Sequence, residues 1–157
     1  AAEMALEARG DWVAGAWETM TRAQGDVATA LAGTHAMTDV TGFGLAGHLA
    51  GMARASGVEI AIDLDAVPFL AGAVKLAERG VRSSLYADNR ALVPELAVDG
   101  NAKAALLFDP QTAGGFVAAV GADDAGNIVG SLNALGHKAN VIGRCVHGAA
   151  KVTFQKV

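Results

Sequence analysis

The chain has 157 residues, 52% of them apolar, and a formal net charge of −4; this length suits one domain, and the apolar fraction suffices for a buried core without disulfides. No clustered Lys/Arg run is present to form a nucleic-acid surface, and Gly, Asp or Arg interrupts each apolar stretch before it reaches membrane-spanning length. Cys145 is the single cysteine, which excludes an internal disulfide or a thiolate metal cluster and is compatible with a reducing cytoplasm.

Residues 1–10 are Ala/Glu-rich, with no initiator methionine and no basic, apolar leader. They read as a lead-in or linker at the front of an excised fragment, with the domain proper over residues 11–157. Val13, Trp17, Met20, Val27 and Leu31 share one helical stripe, which predicts a helix packed on a sheet, capped by Asp11 and ended by Gly33. Gln24 interrupts the stripe as a core-edge amide.

His35 to Val40 mixes β-branched and small residues and predicts a short strand, while Leu45, Leu49, Met52 and Ala53 form the stripe of a following helix. Gly42 and Gly44 lie at the junction. The first N–H groups of a helix have no internal acceptor and carry the positive end of its dipole, so such a junction can hold an anion. Glycines there let a phosphate approach the backbone. Asp39 suits a hard oxygen ligand for a divalent cation that bridges to phosphate oxygens. The residues alone are equally compatible with a plainer arrangement, in which Asp39 or Thr41 caps the helix and the glycines form a tight turn.

Gly57 ends this helix, Glu59 to Leu64 reads as a strand, and Pro68 opens a helix carrying Val67, Leu70, Val74 and Ala77 that exits at Gly80. Val81 to Asn101 reads as a solvated loop containing Arg82, Ser83 and Ser84, with a short helix around Pro94 to Val98. Ala104–Phe108 and Phe116–Val120 read as strands joined by Asp109-Pro-Gln-Thr-Ala-Gly-Gly115, whose proline and glycines are turn residues. Asp123 or Asp124 caps a helix through Ile128, Val129, Leu132 and Leu135, closed by Gly136. Asn140–Cys145, with Cys145 buried, and Lys151–Phe154 complete about six strands against three or four helices.

The four histidines have no structural-zinc spacing; on one strand His35 and Asp39 would stand roughly 13 Å apart, too far to share an ion. No nucleophile elbow and no phosphate loop ending in Gly-Lys-Ser/Thr is present.

Thr38-Asp-Val-Thr-Gly-Phe-Gly-Leu45, with Gly47-His48, resembles the signature that opens the C-terminal domain of the selenide, water dikinases. Asp109 to Gly115 resembles the second C-terminal signature of that family, and Gly80-Val-Arg-Ser-Ser84 with Asn89 also fits its pattern. The resemblance runs from about Trp12 to the end. It departs at Gln24, Met37 and Ala113, where asparagine, cysteine and serine are usual.

The interleaved elements predict an α+β fold, a mixed sheet covered chiefly on one face by helices, and the resemblance implies partial ferredoxin-like topology. It implies a share in converting selenide, ATP and water to selenophosphate, AMP and phosphate. Asp39 would be a magnesium ligand, and Thr38, Thr41, Gly42, Gly44, Gln111, Thr112, Gly114 and Gly115 would meet Mg-ATP. The catalytic residues and the remaining Mg2+ ligands would lie in an N-terminal domain, the partner of this one, in a cytoplasmic homodimer, and the isolated fragment would be inactive. Two other readings stand beside it: a noncatalytic module supporting an oligomer or binding a metabolite, and a domain of another member of the aminoimidazole ribonucleotide synthetase superfamily, such as a thiamine-phosphate kinase.

Overall fold

Residues 2–155 are described in a computed structural model of the chain. In chain order the elements among the described residues are α1 (Gly10–Thr21), α2 (Gly25–Ala30), β1 (Ala36–Asp39), α3 (Gly44–Ser56), β2 (Glu59–Ile62), α4 (Ala73–Glu78), α5 (Tyr86–Leu92), α6 (Ala102–Leu106), β3 (Phe116–Ala119), α7 (Ala122–Ala134), β4 (Gly143–Val146) and β5 (Val152–Phe154). The class is α+β with a mixed sheet, as expected. Contacts divide the chain into two compact units: one takes the chain up to Arg22, Val40–His48 and Phe69–Gly114, the other Ala23–Asp39, Leu49–Pro68 and the chain from Gly115 onward.

In the first unit α1 buries none of its residues. The stripe predicted to run unbroken from Val13 to Leu31 is two helices, because Arg22 adopts an extended conformation (φ −71°, ψ 125°) that ends α1. Asp11 is not the cap either. Arg9 holds that position, and its guanidinium bonds the Asp11 carboxylate at 2.9 Å within the first turn.

The helix predicted from Pro68 begins only at Ala73. Gly72 is left-handed (φ +79°), and the Trp12 ring occupies the space a β-carbon would need there. The exit at Gly80 is as read: the Gly80 and Val81 N–H groups turn back to the Ala77 and Leu76 carbonyls, both at 3.0 Å.

Two further differences concern short segments. The helix lies at Tyr86–Leu92 and not around Pro94 to Val98, since α5 turns the polar Asn89 inward and shows no apolar stripe. Ala104–Phe108, expected as a strand, falls in and just after α6. Asn101 caps this helix, its side-chain oxygen accepting from the Lys103 and Ala104 N–H groups, and alanine favours helix where a short apolar run leaves both options open. Phe108 is fully buried with Leu107, Leu96 and Val93. The Tyr86 ring meets Phe108 edge-on at 6.2 Å, and the Arg90 guanidinium lies 5.2 Å from its centroid.

In the second unit the five strands form two sheets. β1 and β3 pair antiparallel, Ala36 opposite Ala119 and Asp39 opposite Phe116. β2 lies between β4, antiparallel, and β5, parallel. Its central place matches its composition, with Ile60, Ala61 and Ile62 all buried. Val27, Leu31 and Leu132 form a core packed by Phe116, Ala118, Ile128 and Ala139.

Gly121 caps α7; Asp123 and Asp124 occupy its first turn, where their charge suits the helix dipole. Gly136 (φ +83°) supplies the left-handed exit. His137 beyond it bonds the Asp26 carboxylate at 2.9 Å, holding that acid below the usual carboxylate range. Cys145, expected in the core, is exposed, as is Arg144 beside it on β4.

Candidate functional site

The central motif divides between the units. Thr38 and Asp39 end β1 in the second unit, while Thr41, Gly42 and Gly44 belong to the first. Strand alternation leaves Thr38 half-buried and turns Asp39 outward with Met37. The Asp39 carboxylate is exposed and makes no ion pair or hydrogen bond among the described residues. It therefore keeps its full capacity to accept a cation.

In the first unit the turn before α3 is tightly held. The Thr41 N–H donates to His48 Nε2 at 3.0 Å, so this nitrogen is the acceptor and the ring proton sits on Nδ1. The Thr41 carbonyl accepts from the Gly44 N–H at 3.0 Å and from the Gln111 N–H at 3.1 Å. Asn89 donates to the Gly42 carbonyl at 2.8 Å.

Gly44 and Gly42 differ in kind. Gly44 is buried at φ +67°, and a β-carbon on it would stand 2.6 Å from the Leu107 carbonyl oxygen. Its smallness serves packing. Gly42 is exposed, and a β-carbon added there would meet no atom within 4 Å. The Gly42 and Phe43 N–H groups bond to nothing among the described residues, and both residues are exposed just before α3.

The second motif meets the first here. Gln111 bonds Thr41 through its N–H and folds its side-chain amide onto the Asp109 carbonyl at 3.1 Å. Gly114 lies against the Val40 carbonyl, where a side chain has no room. Thr112 is exposed in the first unit, and Gly115 is exposed in the second, next to Phe116 of β3.

Asp109 is half-buried, and loss of hydration pushes its carboxyl above the usual carboxylate range, partly offset by the charge of Arg82. A raised carboxyl costs folded-state stability wherever it is ionised in both states; the cost shrinks as pH falls through the raised value and is absent below the ordinary one. Asp109→Asn is therefore expected to raise the midpoint of thermal unfolding at neutral pH. That gain should vanish in acid, measured by melts across the carboxylate range; an equal gain at every pH would point to another cause.

The segment from Val81 differs from the solvated loop expected. Arg82 is half-buried, donates to the Ala77 and Val81 carbonyls at 2.8 and 2.7 Å, and lies over the Tyr86 ring. The two residues sequence chemistry did not single out for this site are Asn89 and His48. Asn89 acts on two backbone carbonyls distant in sequence and His48 on a backbone amide within the same motif, and no periodicity signals either. Among the described residues no group of three His, Cys, Asp or Glu is placed to hold a metal, and no helix is long and apolar enough to cross a membrane.

Comparison with known proteins gives these positions a context. The family model described as AIR synthase related protein, C-terminal domain, matches residues 3–155. The chain is similar to the selenide, water dikinase of Rhizobium meliloti (strain 1021), 38% identical over 125 residues, which cover 75% of this chain and 35% of that protein. It is 37% identical to that of Burkholderia pseudomallei (strain K96243) over 133 residues, covering 82% of this chain and 38% of the relative. Identity to that of Geobacter metallireducens is 46% over 85 residues, 52% of this chain and 25% of the relative. The chain thus spans little more than a third of the length of the first two relatives.

Proposed function

Because this chain belongs to the AIR synthase related C-terminal domain family, we propose that it serves as the C-terminal domain of a selenide, water dikinase. In that role it supports the ATP- and magnesium-dependent phosphorylation of selenide to selenophosphate, with AMP and phosphate as the other products. The observation that carries the reading is the pair of unbonded N–H donors on the exposed residues Gly42 and Phe43, in a turn whose neighbouring groups are committed.

Successive backbone donors suit phosphate oxygens. An exposed carboxylate free of ion pairs at Asp39 suits Mg2+, which takes one or two carboxylates together with waters and phosphate oxygens. A bound magnesium ion supplies charge neutralisation at the phosphates. Asp39 would give it one oxygen, Gly42 and Phe43 would orient a phosphate group, and Thr38, Thr41, Gln111, Thr112, Gly114 and Gly115 would shape the loops around the nucleotide. One carboxylate does not make a site. The remaining ligands and the reactive groups are assigned to an N-terminal domain, the partner of this one in a cytoplasmic homodimer, and the isolated chain is assigned no dikinase activity.

The test is Asp39→Ala in the intact dikinase. Turnover at limiting magnesium is expected to fall on the order of 10²-fold, with the unfolding midpoint unchanged since the side chain is exposed. Calorimetry on the chain of residues 1–157 alone should show only weak Mg-ATP binding. Unchanged magnesium dependence in the variant, or micromolar affinity in the chain alone, defeats the shared-site reading.

A further inference from the structure

We infer that Asn89 is the positioning residue of the Thr41–Gly44 turn: its side-chain amide staples the turn to the segment leading into Asp109 and so holds the Phe43 donor in place. Asn89 is 4% exposed, the one buried polar residue among those described. Its Nδ2 donates to the Gly42 carbonyl at 2.8 Å and to the Phe108 carbonyl at 3.0 Å. Both partners are carbonyl oxygens, so the NH2 end must face them, and its two protons are fully used.

The placement is selective. The Gly42 carbonyl belongs to the peptide whose N–H is that of Phe43, so fixing this oxygen fixes the direction of a donor on the opposite side of the same planar unit. The Phe108 carbonyl lies immediately before Asp109 in the second motif, on a fully buried aromatic residue. Asn89 thus adds a side-chain tie between the exposed Gly42 and the core of the unit. A buried amide is costly unless bonded, and an apolar residue would fill this space without that demand. Its use here is explained by the two carbonyls it satisfies, which lie on segments distant from each other in sequence.

The ligand side of this inference rests on the anion reading above, and the experiment separates the two. Amide hydrogen exchange in the ligand-free chain reads the turn through the N–H groups of Gly44, Gln111 and Ala46, bonded to Thr41, Thr41 and Leu107. Asn89→Asp replaces the donor with an acceptor of the same shape, and Asn89→Leu keeps comparable volume with no donor. Either variant is expected to speed exchange at these three sites by about tenfold or more, while Leu76 in α4 keeps its protection and reports that the unit remains folded. Retained protection at the three sites in a folded Asn89→Leu protein overturns the inference, as does uniform acceleration that includes Leu76.

Mg-ATP is then titrated while the Gly42 and Phe43 amide resonances are followed in the intact dikinase. A wild-type response that both variants weaken by about tenfold in half-saturation supports the positioning role, and an equal response in the variants overturns it. No response in the wild type refutes the anion reading instead, leaving exchange to decide what Asn89 holds.

Discussion

Phe108→Ala is expected to destabilise the chain by about 3–5 kcal/mol, as truncation of a fully enclosed aromatic side chain does when the surroundings cannot collapse into the space. The residue has no exposed surface. Its neighbours are poorly placed to relax: the Tyr86 ring, nearly perpendicular to it, and the guanidinium of Arg90 are set against the ring, and Asn89 bonds its carbonyl. Denaturant unfolding followed by circular dichroism measures the loss. Phe43→Ala is the internal comparison, since Phe43 is 57% exposed, and a surface truncation of that kind is worth about 0.5 kcal/mol or less. Equal losses for the two phenylalanines would contradict the placement of the core at Phe108.

Gly44→Ala and Gly42→Ala should separate two uses of glycine within one turn. At Gly44 the backbone is left-handed and the added methyl would meet the Leu107 carbonyl oxygen and the Phe108 carbonyl carbon at 2.6 and 2.8 Å. The conformational penalty is about 1–2 kcal/mol and overpacking adds about 1–3 kcal/mol, so the variant is expected to lose about 2–5 kcal/mol. At Gly42 nothing lies within reach, and stability should stay within about 0.5 kcal/mol of wild type. If the turn holds a phosphate as proposed, Gly42→Ala in the intact dikinase raises the KM for Mg-ATP by about tenfold, because close approach to the backbone is what a methyl obstructs. Melts and steady-state kinetics on the pair give four numbers. A stable Gly44→Ala protein would contradict the packing, and an unaltered KM in Gly42→Ala would contradict the phosphate assignment.

Glycine and strand signals suffice wherever a local rule decides. The strand ending at Asp39, the helix after Gly44, the strand from Glu59 and the exits at Gly57, Gly80 and Gly136 all follow from backbone chemistry within a few residues. The motif Thr38 to Leu45 is recognisable for the same reason: its residues are contiguous. Where identity of the packing partner decides, local rules mislead. Ala104–Phe108 has the composition of a buried strand as much as of a helix, and the Asn101 cap tips it to α6. At Gly72, the residue before α4, the ring of Trp12, distant in sequence, fills the space a side chain would need.

The candidate site shows the same division. Asp39 and the glycines stand out in the sequence because acids and glycines are chemically distinctive at a strand-to-helix junction. What only the folded chain reveals is which glycine is open: Gly44 is covered by the Leu107–Asp109 backbone and Gly42 is not. Asn89 is legible in the sequence as a match to a pattern, without a task, until α5 brings it to two carbonyls from other segments.

By itself, then, the amino-acid sequence determined the α+β class, the helix exits and the motifs that assign the family, since each depends on bonds and dihedral preferences a few residues long. Tertiary structure decided the two interleaved units, the outward face of Cys145 and the task of Asn89. Those outcomes are set by which distant surfaces exclude water together and which buried donors find acceptors there, quantities that exist only once the chain has closed on itself.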